Sequence, residues 1–179
     1  MRCLNSVINQ SLSPFEIIVV DDGSSDGTTK KIKENFPEVK ILQNKFSRGG
    51  AVARNQGACI ATGDYFAFLD SDDEWLPQHL KNKVNLIKSD NSQGAFGTFI
   101  LQKGKEGNPI SFNIDHHSNG NIGNSILSAI RFDARTSTFV FRKEAFLKIK
   151  FDEKLKKHQD WDLAINFDYR NRYTLDKQP

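Results

Sequence analysis

The chain has 179 residues and a mass of 20.3 kDa, enough for one domain with a buried core of several strands and helices. Its hydrophobic fraction is 37%, and no stretch approaches the roughly 20 apolar residues that span a bilayer, so no integral membrane helix is expected. The net charge is only +3, with 25 basic residues dispersed among 22 acidic ones, which leaves no basic stripe of the kind that binds nucleic acid.

The N-terminus follows a short helical pattern, Cys3, Leu4, Val7 and Ile8, with no strand before it. Residues 15–20 form a largely β-branched run that stops at Asp21-Asp22-Gly23, the pattern of a strand buried on both faces of a parallel sheet. Ser25 or Asp26 is placed to cap a helix running to about Asn35, and Val39 to Leu42 is the next strand, completing a βαβ unit. Gly49-Gly50 opens an Ala-rich helix from Ala51 to Ala61; Gly63 stops it, and Tyr65 to Leu69 is a further strand. Leu80, Val84 and Ile87 recur at helical spacing after Pro77. Asp70 to Glu74 is therefore a strand-to-helix loop at the carboxyl end of a strand, where open α/β sheets bind ligands.

From Gly94 the pattern loosens. Phe96, Phe99, Leu101, Ile110 and Phe112 predict short strands, while Gly104, Gly107, Asn108 and residues 118–121 predict turns. Ser125 to Ile130 reads as a helix, Thr136 to Phe141 as a strand, and Gln159 to Asn171 as a helix carrying Trp161, Leu163, Ile165 and Phe167. Phe139, Phe141 and Phe146 read as core rather than as a binding platform. Cys3 and Cys59 lack the spacing of metal ligands or of a disulfide framework, and no secretory leader is evident, so a cytoplasmic location is expected. Lys148, Lys150, Lys154, Lys156 and Lys157 suit a solvated face, with anionic lipid headgroups at the inner membrane face as the other use of such charge.

Three acidic clusters carry the chemistry. Asp70, Asp72 and Asp73 repel one another unless solvated or bound to a cation, and a hard divalent ion resolves that conflict. Magnesium and manganese take oxygen ligands and commonly use one or two protein carboxylates, with water and phosphate oxygens completing the shell. Asp72 is the leading ligand and Asp70 assists; the competing use is an acidic turn that caps the following helix. The second cluster, Asp21-Asp22-Gly23-Ser24-Ser25-Asp26, offers carboxylates to a base or ribose beside glycines that permit tight turns. Arg54 is either a planar donor to phosphate or ribose oxygens or a plain surface arginine. In the third cluster, His158 to Asp162, neighbouring helical positions point apart, so Asp160 and Asp162 do not aim at one atom easily, and either can be a helix cap. A receiver domain also ends its first strand in an Asp pair, but it leaves Ser71 to Trp75 and the second half unexplained.

Taken in order, Val-Asp-Asp-Gly-Ser at 20–24, Ala-Arg-Asn-Gln-Gly at 53–57 and Leu-Asp-Ser-Asp-Asp-Glu-Trp at 69–75 resemble family 2 of the inverting glycosyltransferases. The resemblance continues through residues 133–141 and Phe151-Asp152-Glu153 to Asp160-Trp161-Asp162-Leu163. It implies an α/β GT-A fold, a Rossmann-like sandwich with a mostly parallel central sheet. It also implies a nucleotide-binding half at 1–93 and an acceptor-side half at 94–179.

By motif position the resemblance implies that Asp21 or Asp22 contacts the base, Arg54 lies near ribose or diphosphate, and Asp70 and Asp72 form a motif for Mn2+ or Mg2+. Asp160 is implied as the catalytic base. A nucleotide-sugar donor, with a UDP-sugar as first choice, and a sugar or lipid-linked acceptor in bacterial surface polysaccharide or glycolipid synthesis follow from the same source. Two departures stand out: the family's usual first strand with Pro-Thr-Tyr-Asn does not precede Met1, and Gln159 stands where a glutamate usually precedes the base; since the chain opens inside a helical pattern and closes at Lys177-Gln178-Pro179, both ends read as truncated. A non-catalytic sugar-nucleotide or carbohydrate-binding module is the alternative expectation.

Overall fold

A computed structural model of the chain describes residues 1–102, 109–112 and 134–178. Helix α1 (Arg2–Ile8) precedes strand β1 (Ile18–Asp21), helix α2 (Thr28–Asn35) and strand β2 (Lys40–Gln43). Strands β1 and β2 pair in parallel, Ile18 opposite Lys40, which is the expected βαβ unit. Next come α3 (Gly50–Ile60), β3 (Tyr65–Ala67), α4 (His79–Ser89), β4 (Gly94–Gly97), and the antiparallel pair β5 (Phe99–Leu101) and β6 (Ile110–Phe112). A single 3₁₀ turn at Thr136–Thr138 leads into β7 (Val140–Arg142), α5 (Lys143–Ile149), α6 (Gln159–Arg170) and β8 (Tyr173–Asp176).

The four-stranded sheet has the order β3-β7-β4-β8. Strand β7 is antiparallel to both β3 and β4, whereas β8 is parallel to β4, so three strands run one way and β7 opposes them. This is the mostly parallel α/β sheet expected. Its two faces are covered differently. On one, Phe96, Phe139, Phe141 and Phe66 pack with Phe146 of α5 and Leu163, Ala164 and Phe167 of α6. Rings meet edge-on, as at Phe96 and Phe139, 4.9 Å apart and inclined by 84°, the geometry favoured by aromatic quadrupoles. Gly94 lets β4 pass this cluster, because a Cβ there would lie 2.8 Å from both Phe141 and Phe167. On the other face Val7, Trp75, Leu80, Val84 and Ile87 join Ala95 and Val140. The phenylalanines read as core are core.

Three sequence expectations are corrected, and one strand is added. Residues 136–138 are a turn and not the start of a strand: Thr138 N–H and Oγ1 both donate to the Arg135 carbonyl, and Phe139 N–H donates to Thr136. Strand β1 is half-buried rather than enclosed on both faces, and among the described residues it pairs with β2 alone. The strand expected to run to Leu69 closes at Ala67, with Phe68 N–H still bonded to the Phe139 carbonyl. Strand β8 was not anticipated. The helix expected at Ser125 to Ile130 and the turns at 104–108 and 118–121 lie outside the described residues.

Candidate functional site

The loop after β1 is built around two saturated carboxylates. Asp21, only 5% exposed, accepts from Ser24 N–H at 2.8 Å, from the Thr29 hydroxyl and from Gln43 Nε2 at 3.3 Å. Burial pushes its pKa up, but these donors outweigh burial and leave it below the ordinary carboxylate value. Asp22 reaches the next loop, accepting from Asn44 Nδ2 at 2.8 Å, Ser47 Oγ at 2.8 Å, Arg48 N–H and, at 2.7 Å, Gly49 N–H. Burial again pushes up, and the donors win, holding Asp22 at about 2. Gly49 immediately precedes α3, so Asp22 supplies the negative charge that this helix start favours. Both carboxylates expected near a base are thus engaged in holding their loops.

The loop after β3 is arranged otherwise. Asp70 Oδ1 accepts from Arg54 Nη2 at 2.6 Å, and Asp70 N–H donates to Ser137 Oγ at 3.1 Å. That hydroxyl donates onward to Asp73 Oδ2 at 2.6 Å, while the Ser137 carbonyl accepts from Trp75 Nε1 at 2.7 Å. From the other side α1 supports the loop: Trp75 N–H donates to Ser6 Oγ at 3.0 Å, and Arg2 lies 3.4 Å from Glu74. No hydrogen bond or ion pair to a described residue engages Asp72, which is exposed. The capping alternative does not hold geometrically, because α4 begins at His79, has no acidic residue in its first turn, and has its Leu80 N–H taken by Gln10 Oε1 at 3.0 Å rather than by a carboxylate of the loop.

Helix α3 connects these loops. Its consecutive residues Arg54, Asn55 and Gln56 leave the helix in different directions. Arg54 reaches Asp70 and also donates to Gln159 Oε1 at 3.2 Å. Asn55 brackets Phe151, donating to its carbonyl at 2.9 Å and accepting its N–H at 3.1 Å. Gln56 exchanges bonds with Asn44, the donor to Asp22. Arg54 is therefore a part-buried side chain tied to two partners and not a plain surface arginine. Asn55, Gln56 and Ser137 were missed as contributors; the run Arg-Asn-Gln itself was the available signal, but it names no partners.

Asp160 sits in the first turn of α6, behind His158 in the left-handed region (φ 57°), and its Oδ1 accepts from Trp161 N–H at 3.0 Å. Asp162 turns toward Asn166, which donates to it at 3.0 Å, and burial followed by the nearby Asp152 charge raises its pKa. The contact of Arg54 with Gln159 places the start of α6 beside the acidic loop after β3, so Asp70 and Asp160 belong to one region. Among the described residues no group of three or more His, Cys, Asp or Glu side chains converges to hold an ion. A magnesium or manganese ion would thus take one or two carboxylates here and draw its remaining ligands from water and a bound phosphate. Asp72, exposed and disengaged, and Asp70, which has a second oxygen outside its Arg54 bond, suit that partial shell. A cleft of about 1060 Å³ between α4, the far end of α6 and β8 contains none of these carboxylates.

Comparison with known proteins gives this arrangement its context. Residues 1–150 match the pattern of glycosyl transferase family 2. The chain is 34% identical over 183 residues to the amylovoran biosynthesis glycosyltransferase AmsB of Erwinia amylovora, covering 94% of this chain and 58% of that protein. It is 35% identical over 99 residues to a UDP-Glc:alpha-D-GlcNAc-diphosphoundecaprenol beta-1,3-glucosyltransferase, WfgD of Escherichia coli, covering 55% of this chain and 39% of the relative. In fold it superposes on Staphylococcus aureus TarS 1–349 in complex with UDP, with a TM-score of 0.77 at 23% identity, over 99% of this chain and 54% of that one. The complex of the same protein with UDP-GlcNAc gives a TM-score of 0.76 at 22% identity, over 99% and 52%. The chain thus spans little more than half the length of AmsB and of the TarS fragment. With the motif order, the α/β architecture and these matches in agreement, the chain belongs to glycosyl transferase family 2.

Proposed function

We propose that the chain provides the donor-binding and base-bearing part of an inverting transferase that moves a sugar from a UDP-sugar to an acceptor hydroxyl in bacterial surface polysaccharide or glycolipid synthesis. The observation that carries this is the division of labour in the acidic loop: Asp70 and Asp73 are tied to Arg54 and Ser137, while Asp72 is left exposed for a ligand. The relatives support the substrate class, since WfgD is a UDP-Glc transferase and TarS was captured with UDP and UDP-GlcNAc.

In this reading Asp72, with Asp70, would hold a manganese or magnesium ion, which would supply positive charge against the departing nucleoside diphosphate. Arg54 lies beside Asp70 and offers the remaining guanidinium edge to diphosphate or ribose oxygens. Asp22 and Asp21 shape the rim where the base sits, by fixing the loops at 44–49 and 23–29. Asp160 takes the proton from the acceptor hydroxyl, whose oxygen attacks the anomeric carbon as the bond to the diphosphate oxygen breaks, so configuration inverts. The residues 94–179 face the acceptor, and the protein works in the cytoplasm, where nucleotide sugars and lipid-linked acceptors meet at the inner membrane face. Among the described residues no helix is long and apolar enough to cross a membrane.

The test is UDP binding with and without manganese, read by thermal unfolding, followed by sugar transfer from UDP-glucose. A ligand at 100 times its Kd adds about 2.7 kcal/mol of stability, so a manganese-dependent rise in midpoint, reversed by chelator, is expected. Asp160→Asn should keep that rise while transfer drops by about 10²–10⁴-fold. Undiminished transfer removes Asp160 as base. Binding with no transfer in the unaltered chain supports a sugar-nucleotide-binding module instead.

A further inference from the structure

Arg54 is fixed at three points. Nη2 donates to Asp70 at 2.6 Å, Nη1 donates to Gln159 Oε1 at 3.2 Å, and the guanidinium carbon lies 5.2 Å from the centre of the Phe151 ring. The other end of Gln159 is fixed as well, because its Nε2 donates to the Leu155 carbonyl at 2.7 Å. One end of this side chain must accept from a guanidinium and the other must donate to a carbonyl, and of the two homologous side chains only the amide does both. A glutamate would turn a carboxylate oxygen toward the Leu155 carbonyl and would give Arg54 a second carboxylate to pair with in competition with Asp70.

Resting on the transferase reading above, we infer that Gln159 is a positioning residue: acting through Arg54, it fixes the start of α6, which carries Asp160, relative to the donor carboxylate Asp70. The two residues bridged by Arg54 are far apart in the chain, Gln159 being 105 positions from Arg54 and Asp70 16 positions from it. Base and donor side therefore share one guanidinium as their common reference. Phe151 supports its face, and Asn55, the residue after Arg54, holds the Phe151 backbone at both N–H and carbonyl. Gly50 leaves room for the fork, since a Cβ there would lie 3.0 Å from Arg54 Nη1. Gly50→Ala therefore shifts the Gln159 end of the guanidinium by a few tenths of an ångström while removing none of its partners, and a helical alanine does not lower stability.

The test follows UDP release from UDP-glucose with manganese in the unaltered chain and in Gln159→Glu, Gln159→Met and Gly50→Ala. Misplacement by a fraction of an ångström acts on the chemical step, so kcat should fall about ten-fold or more in Gln159→Glu and about three-fold in Gly50→Ala. The KM for UDP-glucose should stay within about two-fold, and the unfolding midpoint of Gly50→Ala should not drop. A rise in KM with kcat intact makes Gln159 a donor-binding group and overturns the inference, as do unchanged kinetics in both Gln159 variants. If the unaltered chain neither binds UDP nor releases it, the transferase reading fails on its own. The link itself is then decided by unfolding of Arg54→Met, Gln159→Met and the double variant: a combined shift smaller than the sum supports the coupling, and additive shifts overturn it.

Discussion

The loops after β1 and β3 share a vocabulary of aspartate and serine at the ends of strands, yet they spend their carboxylates differently. After β1, Asp21 and Asp22 take donors from Ser24, Thr29, Gln43, Asn44, Ser47, Arg48 and Gly49, so both carboxylates act inward and stitch the loops after β1 and β2 together. After β3, Asp70 and Asp73 are restrained by Arg54 and Ser137, and Asp72 faces solvent. An acidic cluster can take a ligand only where some of its charge is left without protein donors. The first loop is a frame, and the second is a frame with one open position.

That contrast breaks most visibly at Asp22. Asp22→Ala strips the acceptor from Asn44, Ser47, Arg48 and Gly49 together; hydrogen bonds to charged groups contribute about 1.5–3 kcal/mol net each, and because water can replace part of this at a half-exposed carboxylate, a loss of about 3 kcal/mol is expected. Chemical denaturation measures it, and a loss under 1 kcal/mol would show that the first loop does not depend on its carboxylate. Gly23 gives the next effect. It sits at φ 89°, and a Cβ would lie 2.8 Å from the backbone of Phe46 and Ser47. Gly23→Ala should therefore cost about 2 kcal/mol, through left-handed strain and displacement of the 46–49 loop that Asp22 organises. Equal stability of this variant would mean that the two loops separate freely.

The strand-loop-helix segments that carry both clusters were legible because a β-branched run before Asp21 and an aromatic run before Asp70 stop abruptly at aspartate and helical spacing resumes after each. The identity of the open carboxylate was half legible: Asp72 stood out by chemistry, but that Asp73 is consumed depends on Ser137, 64 positions away. The β-branched and aromatic content of Thr136 to Phe141 reads as strand, and only the packing of Ser137 against the acidic loop explains why its first half turns. Strand β8 was hidden because four residues directly after a helix carry too short a pattern; its pairing with β4 decides it. Gln159 showed as an anomaly in a motif, and its two-ended bonding gives that anomaly a physical reason.

A pH titration distinguishes the supports of the two loops. His79 is buried, stacks on Trp75 at 4.7 Å behind the second loop, and is pushed from 6.5 to about 2 by burial and then by the neighbouring Lys83 charge. The unfolded chain takes up this proton below pH 6.5 while the folded chain refuses it. Stability is therefore complete above pH 6.5 and falls as pH drops through that window, by at most about 1.4 kcal/mol per pH unit. Asp22, depressed from 3.8 to about 2, adds its loss only below pH 3.8. Unfolding midpoints between pH 7 and 3 should thus show an upper limb, from pH 6.5 down, that His79→Phe flattens, and a steeper lower limb below pH 3.8 from which it removes only the His79 share. A His79→Phe profile parallel to the original would place the upper limb elsewhere.

The smallest stability effect belongs to Asp72, and it is the most informative. Because no described residue bonds to it and it is exposed, Asp72→Ala should change unfolding free energy by no more than about 0.5 kcal/mol. Its neighbour Asp73→Ala releases the Ser137 hydroxyl and should lose about 1 kcal/mol, the ordinary net value of one hydrogen bond. In manganese-dependent UDP binding the order should reverse: loss of one of at most two carboxylate ligands costs Asp72→Ala about ten-fold or more in affinity, whereas Asp73→Ala, which keeps Asp70 and Asp72, loses less. Calorimetry with and without chelator reads both variants on one scale. If Asp73→Ala loses more manganese-dependent affinity than Asp72→Ala, the open position is Asp73 and the Ser137 bond yields to the ion. If neither variant loses any, the second loop is a frame like the first.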